Sequence, residues 1–345
     1  MRAALLTQYR EDFTIGDVPE RTITSPNDVI VRVGAAGFCR TDIHMWDGQF
    51  DAAQKAAGID LPFVCGHETA GWVQEVGNGV SHIAVGDAVL LHPLATCGYC
   101  KACRAGDDMH CANAFFPGLS DNDGGMAEYL RTSARACVKL DPSTDPADVA
   151  ALADAGITAY HAVRKAVPLL HPGTTAVVQG AGGLGHIGIQ CLRALTAARV
   201  VVVDRNADAL RLAERIGADE TVLADGDHVQ SVRDLTGGTG AHVVFDYVAE
   251  QGAEMDGWNM TAPGGSYFVI GYGGDLRIPT LDIISTERNI VGNIVGTYAD
   301  LTELMVLAQA GRVTLHTQKY PLDKAVDALH DLDAGKVRGR AILVP

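Results

Sequence analysis

A glycine-rich turn in the middle of the chain limits the possible folds more than any other feature of this sequence. The motif G-x-G-x-x-G spans residues 180–185, after the apolar run Ala176–Gln179 and at the start of a helical pattern over Leu184–Thr196. A strand, a glycine turn and a helix in this order form the dinucleotide-binding turn of a βαβ unit. Glycines let the backbone approach a pyrophosphate, and N–H groups at the start of the helix bind it. We therefore predict a dinucleotide site at Gly180, Gly182, Gly183, Leu184 and Gly185.

An acidic residue at the end of the next strand indicates which dinucleotide binds. The apolar run Val200–Asp204 ends 19 residues after Gly185 in a carboxylate. A carboxylate here accepts hydrogen bonds from the adenosine ribose and repels a 2′-phosphate, which favours NAD over NADP. The adjacent Arg205 leaves a second interpretation open, because its side chain can stack on adenine or bind a phosphate. The alternative is a glycine turn that binds no ligand. The preceding strand, the 19-residue spacing and the acidic Asp204 together disfavour it.

The rest of the chain predicts two domains of different character. At 345 residues the chain exceeds the size of a single ordinary core. Short β-branched runs between glycine turns dominate the first third, whereas strands and helices alternate from about residue 157, as in a doubly wound parallel sheet of an α/β protein. The predicted strands are 29–33, 72–76, 88–91, 176–179, 200–204, 222–223, 243–246, 267–271, 289–295 and 341–344, and the predicted helices are 184–196, 207–216, 301–310 and 322–334.

Charge and hydropathy exclude several kinds of partner. The formal net charge is −15, which repels nucleic-acid phosphates and anionic lipids. No uncharged apolar stretch reaches 18 residues, and the N-terminal run is too short for a signal peptide. We therefore expect a cytoplasmic protein with small-molecule partners, no nucleic acid and no membrane association. Cysteines in such a compartment stay reduced, so their spacing indicates metal binding rather than disulfides.

Four cysteines lie close together in the first third of the chain. Cys97, Cys100, Cys103 and Cys111 follow the pattern C-x2-C-x2-C-x7-C. Four thiolates at such spacing form a closed tetrahedral site that suits a structural zinc. An iron–sulfur cluster uses the same ligands and is the chemical alternative. The remaining alternative is that the four cysteines are surface thiols that bind no metal.

Two further segments contain candidate ligands that are ambiguous by themselves. Cys39 begins the run C-R-T-D-I-H, and His67 lies in G-H-E-T-A-G. A lone cysteine and a lone histidine are more often a small buried apolar residue and a hydrogen-bonded core imidazole. Together with Gly77, Val80, the four-cysteine segment and the glycine turn, however, they follow the order seen in a known family. The chain resembles the zinc-containing medium-chain alcohol dehydrogenases over nearly its whole length.

This resemblance implies an architecture. Residues 1–155 are expected to form a GroES-like, β-rich catalytic domain with the structural zinc lobe at 95–112. Residues 156–294 are expected to form the Rossmann NAD-binding domain, and 295–345 to return to the catalytic domain. The resemblance also implies a dimer or, as in most bacterial relatives, a tetramer, with the edge strand Asn289–Val295 pairing subunits.

The resemblance also implies a catalytic zinc, the second zinc of each chain, held by Cys39, His67 and a third ligand. The family usually has cysteine at the third position, where this chain has Asp154. Zinc accepts carboxylate oxygen, and one thiolate, one carboxylate and a neutral imidazole balance its charge. The chain is similar in this respect to the bacterial secondary-alcohol dehydrogenases that use aspartate. The harder ligand leaves zinc affinity and Lewis acidity open.

Other roles follow from the resemblance alone. Thr41 is expected to hydrogen-bond the substrate oxygen and pass its proton toward His44, whereas Asp42 orients His67. Glu68 is expected to approach the metal during ligand exchange. Thr158 and Arg340 match positions near nicotinamide and pyrophosphate. As isolated residues, Thr41 would be interpreted as a helix cap, and Asp42 and His44 as a solvated turn. The residues expected to line the substrate entrance are Trp46, Phe115, Phe116 and Leu119.

The predicted activity is hydride transfer between an alcohol, primary or secondary, and NAD. A polyol or formaldehyde-type dehydrogenase shares every motif and is the enzymatic alternative. Zinc-free relatives that act as quinone reductases or structural proteins lack the catalytic ligands and are disfavoured by Cys39, His67 and Asp154.

Overall fold

The computed structural model describes residues 1–56, 58–120 and 124–345. The chain divides into two compact units. The first contains Met1–Ala155, Thr297–Thr302 and Leu315–Pro345, and the second contains Gly156–Gly296 and Glu303–Thr314. Residues 295–345 are predicted to lie entirely in the catalytic domain, but the structure divides this stretch between the two units. Glu303–Thr314 joins the second unit, where Tyr160 donates a hydrogen bond to Glu303 at 2.8 Å and Gln190 bonds the backbone of Thr314.

The regular elements of the chain, in order, are as follows. Up to residue 155 the strands are β1 (Arg2–Leu6), β2 (Thr14–Asp17), β3 (Asp28–Phe38), β4 (Phe63–Val64), β5 (Glu68–Val76), β6 (Ala88–Leu91), β7 (Tyr129–Ser133) and β8 (Cys137–Lys139), and the helices are α1 (Arg40–Trp46), α2 (Asp51–Ala56) and α3 (Lys101–Arg104). From there the strands are β9 (Thr175–Gln179), β10 (Arg199–Asp204), β11 (Glu220–Leu223), β12 (Ala241–Asp246), β13 (Thr261–Val269), β14 (Asn289–Gly292), β15 (Thr317–Pro321) and β16 (Arg340–Val344), and the helices are α4 (Ala155–Ala166), α5 (Gly185–Leu195), α6 (Ala207–Ile216), α7 (His228–Leu235), α8 (Ala253–Met260), α9 (Thr280–Thr286), α10 (Tyr298–Gln309) and α11 (Ala325–Asp333).

The first unit is β-rich, as the sequence indicates. Its main sheet has the order β15-β16-β3-β5-β6-β8, with β7 also pairing β3, and a smaller sheet has the order β2-β1-β4. The long strand β3 pairs antiparallel with β5, so that Gly37 lies opposite Glu68. Its core is built from apolar side chains of alternating strand positions, such as Val29, Val31 and Val33. This pairing brings the segments after β3 and before β5 to the same end of the sheet.

The second unit is the predicted doubly wound parallel sheet. Its order is β11-β10-β9-β12-β13-β14, and every pairing is parallel. The strands β9, β10 and β12 are almost entirely buried, as expected for strands covered by helices on both faces. The predicted edge position of the segment from Asn289 is confirmed, although the strand ends at Gly292.

Two features of the helices differ from the predictions. The predicted helix 322–334 begins with a 3-10 turn at Leu322–Lys324 and becomes α-helical only at Ala325. Helices α1, α2, α3, α4, α7, α8 and α9 were not predicted; all of them except α4 have eight residues or fewer, which is too short for a clear periodic signal. Among the described residues, no helix is long and apolar enough to cross a membrane.

Candidate metal centres and dinucleotide site

Side chains from three distant parts of the sequence converge in the first unit. One ligand atom from each of Cys39, His67, Glu68 and Asp154 lies within 4.8 Å of the others. Cys39 is the N-cap residue of α1, directly after β3, and His67 directly precedes β5. Pairing of β3 with β5 therefore places these two residues together. Asp154 follows a 3-10 turn at Ala150–Leu152 and directly precedes α4.

Asp42 and Asp154 face the two nitrogen atoms of the His67 ring. His67 Nε2 lies 3.4 Å from Oδ2 of Asp154, and Nδ1 lies 3.6 Å from Oδ1 of Asp42. The other oxygen of Asp42 accepts a hydrogen bond from the backbone N–H of Cys39 at 2.7 Å, which fixes the carboxylate at the start of α1. Asp42 and His67 are both buried. Nε2 thus points into the cluster while a carboxylate stands behind Nδ1, the arrangement that orients metal-binding histidines.

The charge of this cluster fits a cation. Burial opposes protonation of His67, but Asp42, Asp154 and Cys39 outweigh it and hold the pKa of the imidazole well above its usual value. The carboxylates of Asp42 and Asp154 therefore favour a positive charge at this position. Sulfur, imidazole nitrogen and carboxylate oxygen are the ligand atoms that zinc prefers, so the residues present fit this ion.

Glu68 has a cationic partner that no sequence pattern predicts. Nε of Arg340 donates to Oε2 of Glu68 at 2.9 Å, and Nη2 makes a second bond to Oε1. The backbone N–H of Ala155 also donates to Oε1, at 3.0 Å. Gly37 leaves room for the carboxylate, because a Cβ there would lie 1.9 Å from Oε2. The sequence offered no signal for this pair, since residues 68 and 340 are 272 positions apart. The assignment of Arg340 to pyrophosphate stays a prediction.

Thr41 and His44 lie on α1 beside the cluster. The N-cap of this helix is Cys39, so Thr41 lies inside the first turn and is not the capping residue. Asp42 and His44 are buried rather than part of a solvated turn. Because Thr41 and His44 are three positions apart on a helix, they share one face. Their predicted roles in proton transfer stay predictions.

Among the four predicted pocket residues, Phe116 lies next to the cluster. Its ring is 5.6 Å from that of His67, edge to face. Phe115 pairs through its backbone with Ala95 at the base of the four-cysteine segment. Trp46 donates its indole N–H to the carbonyl of Glu11 at 2.8 Å, and it packs with Leu119 against the N-terminal apolar core. Phe116 is thus placed directly beside the predicted metal ligand His67.

The four-cysteine segment forms a second candidate metal centre. The Sγ atoms of Cys97, Cys100, Cys103 and Cys111 lie within 4.8 Å of one another. Backbone N–H groups point at the sulfur atoms: Cys103 N donates to Sγ of Cys100, and Cys97 N to Sγ of Cys111. Desolvation raises the pKa of Cys97, but N–H donors of residues 99 and 100 outweigh it and lower this pKa to about 6. At Cys97 the N–H groups therefore stabilise the thiolate, the form that binds zinc.

The glycine turn of the second unit has the geometry of a phosphate-binding turn. Gly180 has a φ of +87°, in the left-handed region. A Cβ at Gly185, the first residue of α5, would lie 1.8 Å from the carbonyl oxygen of Gly180, so only glycine lets helix and strand approach this closely. Gly182 and Leu184 lie between them, and Leu184 is the N-cap of α5. A Cβ at Gly182 would meet nothing within 4 Å, which leaves this part of the turn open to a ligand.

Asp204 lies at the end of β10, beside this turn. One oxygen accepts the N–H of Ala181 at 2.6 Å, and the other accepts the N–H of Asn206 at 2.7 Å. Arg205 is exposed, and Thr158 is buried on α4 in the same unit. The carboxylate is thus fixed within the turn by two backbone donors, an interaction that the spacing alone did not reveal.

Comparison with known proteins identifies the family. The sequence profile described as "Alcohol dehydrogenase GroES-like domain" matches residues 25–142, and that described as "Zinc-binding dehydrogenase" matches residues 183–310. An NAD-dependent alcohol dehydrogenase of Sulfurisphaera tokodaii is 34% identical, over all of both chains. The crystal structure of the alcohol dehydrogenase of Aeropyrum pernix has 43% sequence identity and a TM-score of 0.97, again over all of both chains.

A third relative is named for a different substrate. The D-arabinose 1-dehydrogenase (NADP(+)) of Saccharolobus solfataricus is 33% identical, over all of this chain and 97% of its own. The fold, the two cysteine-containing clusters and these similarities together define a medium-chain oxidoreductase. The chain belongs to the zinc-containing alcohol dehydrogenase family, and the predicted fold class and family resemblance are confirmed.

Proposed function

We propose that this protein is an NAD-linked alcohol dehydrogenase that binds two zinc ions per chain and uses Asp154 as the third protein ligand of the catalytic one. The convergence of Cys39, His67 and Asp154 in the first unit is the observation that carries the proposal. Asp42 behind His67 adds the carboxylate that such a ligand requires. Zinc, when bound, supplies the Lewis acidity that lowers the pKa of an alcohol hydroxyl and so favours loss of hydride.

The residues around the cluster supply the remaining chemistry. Thr41 accepts the hydrogen bond of the alcohol hydroxyl, and as it takes this proton it releases its own hydroxyl proton toward His44, on the same face of α1. Asp42 holds the His67 ring so that Nε2 points into the cluster. Glu68, balanced by Arg340, is the additional carboxylate that approaches the ion during ligand exchange. Cys97, Cys100, Cys103 and Cys111 hold the structural zinc.

The cofactor is NAD, bound at the glycine turn. Gly180, Gly182, Gly183, Leu184 and Gly185 form the pyrophosphate site, and Asp204 binds the adenosine ribose. Arg205 lies beside the adenine, Thr158 near the nicotinamide and Arg340 near the pyrophosphate. The support for NAD is the carboxylate at the end of β10, which repels a 2′-phosphate.

The substrate is an alcohol with an apolar substituent, secondary or primary. The phenyl ring of Phe116, edge-on to His67, supplies an apolar surface next to the predicted ligands. Trp46, Phe115 and Leu119 complete the entrance in this proposal. The sugar-dehydrogenase relative favours a polyol or sugar as the second candidate substrate. Cytoplasmic residence stays a prediction from the sequence.

A homodimer or homotetramer is the proposed assembly. Strand β14 lies at the end of the parallel sheet, so its outer hydrogen-bonding groups suit pairing with a second copy. Large exposed apolar side chains lie on and near it; they are Leu281, Ile284, Ile290 and Ile294. Sedimentation of the purified protein measures this state, and a monomer at micromolar concentration contradicts it.

Metal counting and substrate profiling test the proposed activity. We expect two zinc ions per chain in active protein, and NADH formation with a panel of primary, secondary and aryl alcohols. One ion per chain, held by the four cysteines, in fully active protein would exclude Cys39, His67 and Asp154 as a zinc site. Activity with sugars and none with simple alcohols would favour the second candidate.

A further inference from the structure

A buried carboxylate–phenol pair lies behind the dinucleotide turn of the second unit. Asp246 is the last residue of β12, and Tyr267 lies on the neighbouring strand β13. The Tyr267 hydroxyl donates to Oδ2 of Asp246 at 2.6 Å, and both residues are completely buried. Burying a carboxylate is costly unless its oxygen atoms are hydrogen-bonded. Apolar packing alone therefore does not account for a carboxylate at this buried position.

The other oxygen of Asp246 holds the turn that follows the strand. Oδ1 accepts the backbone N–H groups of Val248 and Ala249, both at 2.9 Å. Ala249 has a φ of +46° and Gln251 a φ of +58°, a left-handed conformation that residues with a side chain rarely adopt. Two such residues in one turn persist only when surrounding contacts enforce them. The carboxylate of Asp246 supplies two of these contacts.

This turn packs directly against the glycine turn. A Cβ at Gly180 would lie 2.6 Å from Cγ2 of Val248, so Val248 fills the space beside the first glycine of the fingerprint. Tyr247, the preceding residue, reaches α5, where a Cβ at Gly188 would lie 2.3 Å from its hydroxyl. The carboxyl ends of β9 and β12 are neighbours in the sheet, and ligands of doubly wound sheets bind at these ends.

We propose that Asp246 and Tyr267 are positioning residues for the dinucleotide. The hydrogen bond from Tyr267 fixes the carboxylate of Asp246, and this carboxylate holds the backbone of Val248 and Ala249. The turn in this conformation keeps Val248 against the glycine turn, in the shape that NAD requires. The inference rests on the proposed function only in that NAD binds at the glycine turn. Neither residue touches the cofactor; both act through Val248 and the backbone of the turn.

Two conservative substitutions test the proposal. Tyr267→Phe removes the donor, and Asp246→Asn keeps the shape but replaces an acceptor with a donor facing Tyr267. If the turn is ordered in only a fraction of the molecules, the apparent affinity for the cofactor falls in proportion to that fraction. We expect each variant to raise the Kd for NADH, measured by fluorescence, roughly three- to tenfold. The KM for NAD should rise in parallel, with kcat at saturating NAD within about twofold of wild type.

Tyr160→Phe is the matched control. Tyr160 is also buried in the second unit and also donates to a carboxylate, that of Glu303 at 2.8 Å, but it lies on α4 and not on the turn. We expect this variant to lower the thermal midpoint while leaving the Kd for NADH unchanged. If Tyr267→Phe and Asp246→Asn behave like this control, with lower midpoints and unchanged Kd, the pair has a purely structural role and the proposal is wrong.

The two proposals fail in different ways. Wild-type protein that binds no NADH would contradict the proposed cofactor. Wild-type protein that binds NADH, with variants that bind it equally well, would contradict only the positioning role. Should Tyr267→Phe fail to fold, Asp246→Asn alone decides, since its side chain has the same shape as the original.

Discussion

The guanidinium of Arg340 and the carboxylate of Glu68 form a two-point ion pair in the interior of the first unit, with one N–H···O distance of 2.9 Å. Glu68 directly follows the predicted ligand His67, and Arg340 begins β16, two strands away from β5 in the sheet. The carboxylate of Glu68 belongs to the cluster that contains Cys39 and Asp154, and the guanidinium of Arg340 balances its negative charge. It therefore links the stability of this unit to the electrostatics of the proposed zinc site.

Breaking this pair should destabilise the protein strongly. Arg340→Met leaves the buried carboxylate of Glu68 unpaired, and removing one partner of a buried ion pair costs about 3–5 kcal/mol. We expect a large drop in the urea midpoint relative to wild type. The double variant Glu68→Gln, Arg340→Met should recover much of that loss, because no uncompensated charge remains.

An exposed pair of the same type serves as the control. Arg193 and Asp219 are 3.1 Å apart, with about 46% and 37% of their side chains exposed. Arg193→Ala should cost less than about 1 kcal/mol, since water screens this pair. Equal losses for Arg193→Ala and Arg340→Met would contradict a special role of burial at Glu68.

Replacing Asp154 should separate catalysis from folding. Asp154→Ala removes a ligand atom from the proposed zinc site, and among the described residues it removes no backbone hydrogen bond of the surrounding sheet. We expect turnover to fall below detection, one zinc ion per chain to be lost, and NADH binding to persist. Zinc analysis and NADH absorbance measure these outcomes.

Two further variants at and near this position sharpen the test. Asp154→Cys introduces the ligand usual in the family and should retain zinc. Asp148→Ala removes an exposed carboxylate that pairs with Lys319 at the surface, and it should leave both zinc content and turnover unchanged. Full activity of Asp154→Ala in protein of known metal content would exclude this residue from the site.

Asp204 should determine the choice between NAD and NADP. In Asp204→Gly the negative charge that repels a 2′-phosphate is gone, so the ratio of kcat/KM for NADP to that for NAD should rise by about tenfold or more. Steady-state kinetics with both cofactors give this ratio.

The contacts of Asp204 with the glycine turn call for a second variant. Asp204→Asn removes the charge while keeping an oxygen that accepts the N–H of Ala181. We expect it to shift the cofactor ratio in the same direction with a smaller loss of total activity than Asp204→Gly. An unchanged ratio in both variants would contradict the assigned role of the carboxylate.

Loss of the four-cysteine site should affect stability more than the chemical step. Cys103→Ala leaves three thiolates, too few for a closed tetrahedral zinc site, and metal-binding energy in such sites is folding energy. We expect one zinc ion fewer per chain and a lower thermal midpoint. Cys191→Ala, at a buried cysteine outside both clusters, is the control and should retain both ions. Two ions per chain in Cys103→Ala would contradict the assignment.

The features that the sequence determined by itself are those whose residues lie close together along the chain. The turn at 180–185 forms a local structure, so its glycines and the following helix are recognisable without any tertiary contact. Cys97, Cys100, Cys103 and Cys111 span 15 positions, and their spacing already indicates a tetrahedral site. The parallel sheet follows from alternating buried strands and amphipathic helices, each of which is a short-range pattern.

Tertiary structure alone decided the contacts between residues far apart along the chain. Cys39 and His67 come together only because β3 and β5 pair with Gly37 opposite Glu68, and no local pattern sets that register. The partner of Glu68 is 272 positions away, and Asp246 meets Tyr267 only across two parallel strands. Such contacts depend on how strands pair and side chains pack, which is a property of the whole folded chain. The glycine turn and the four-cysteine segment, in contrast, each depend on a few neighbouring residues.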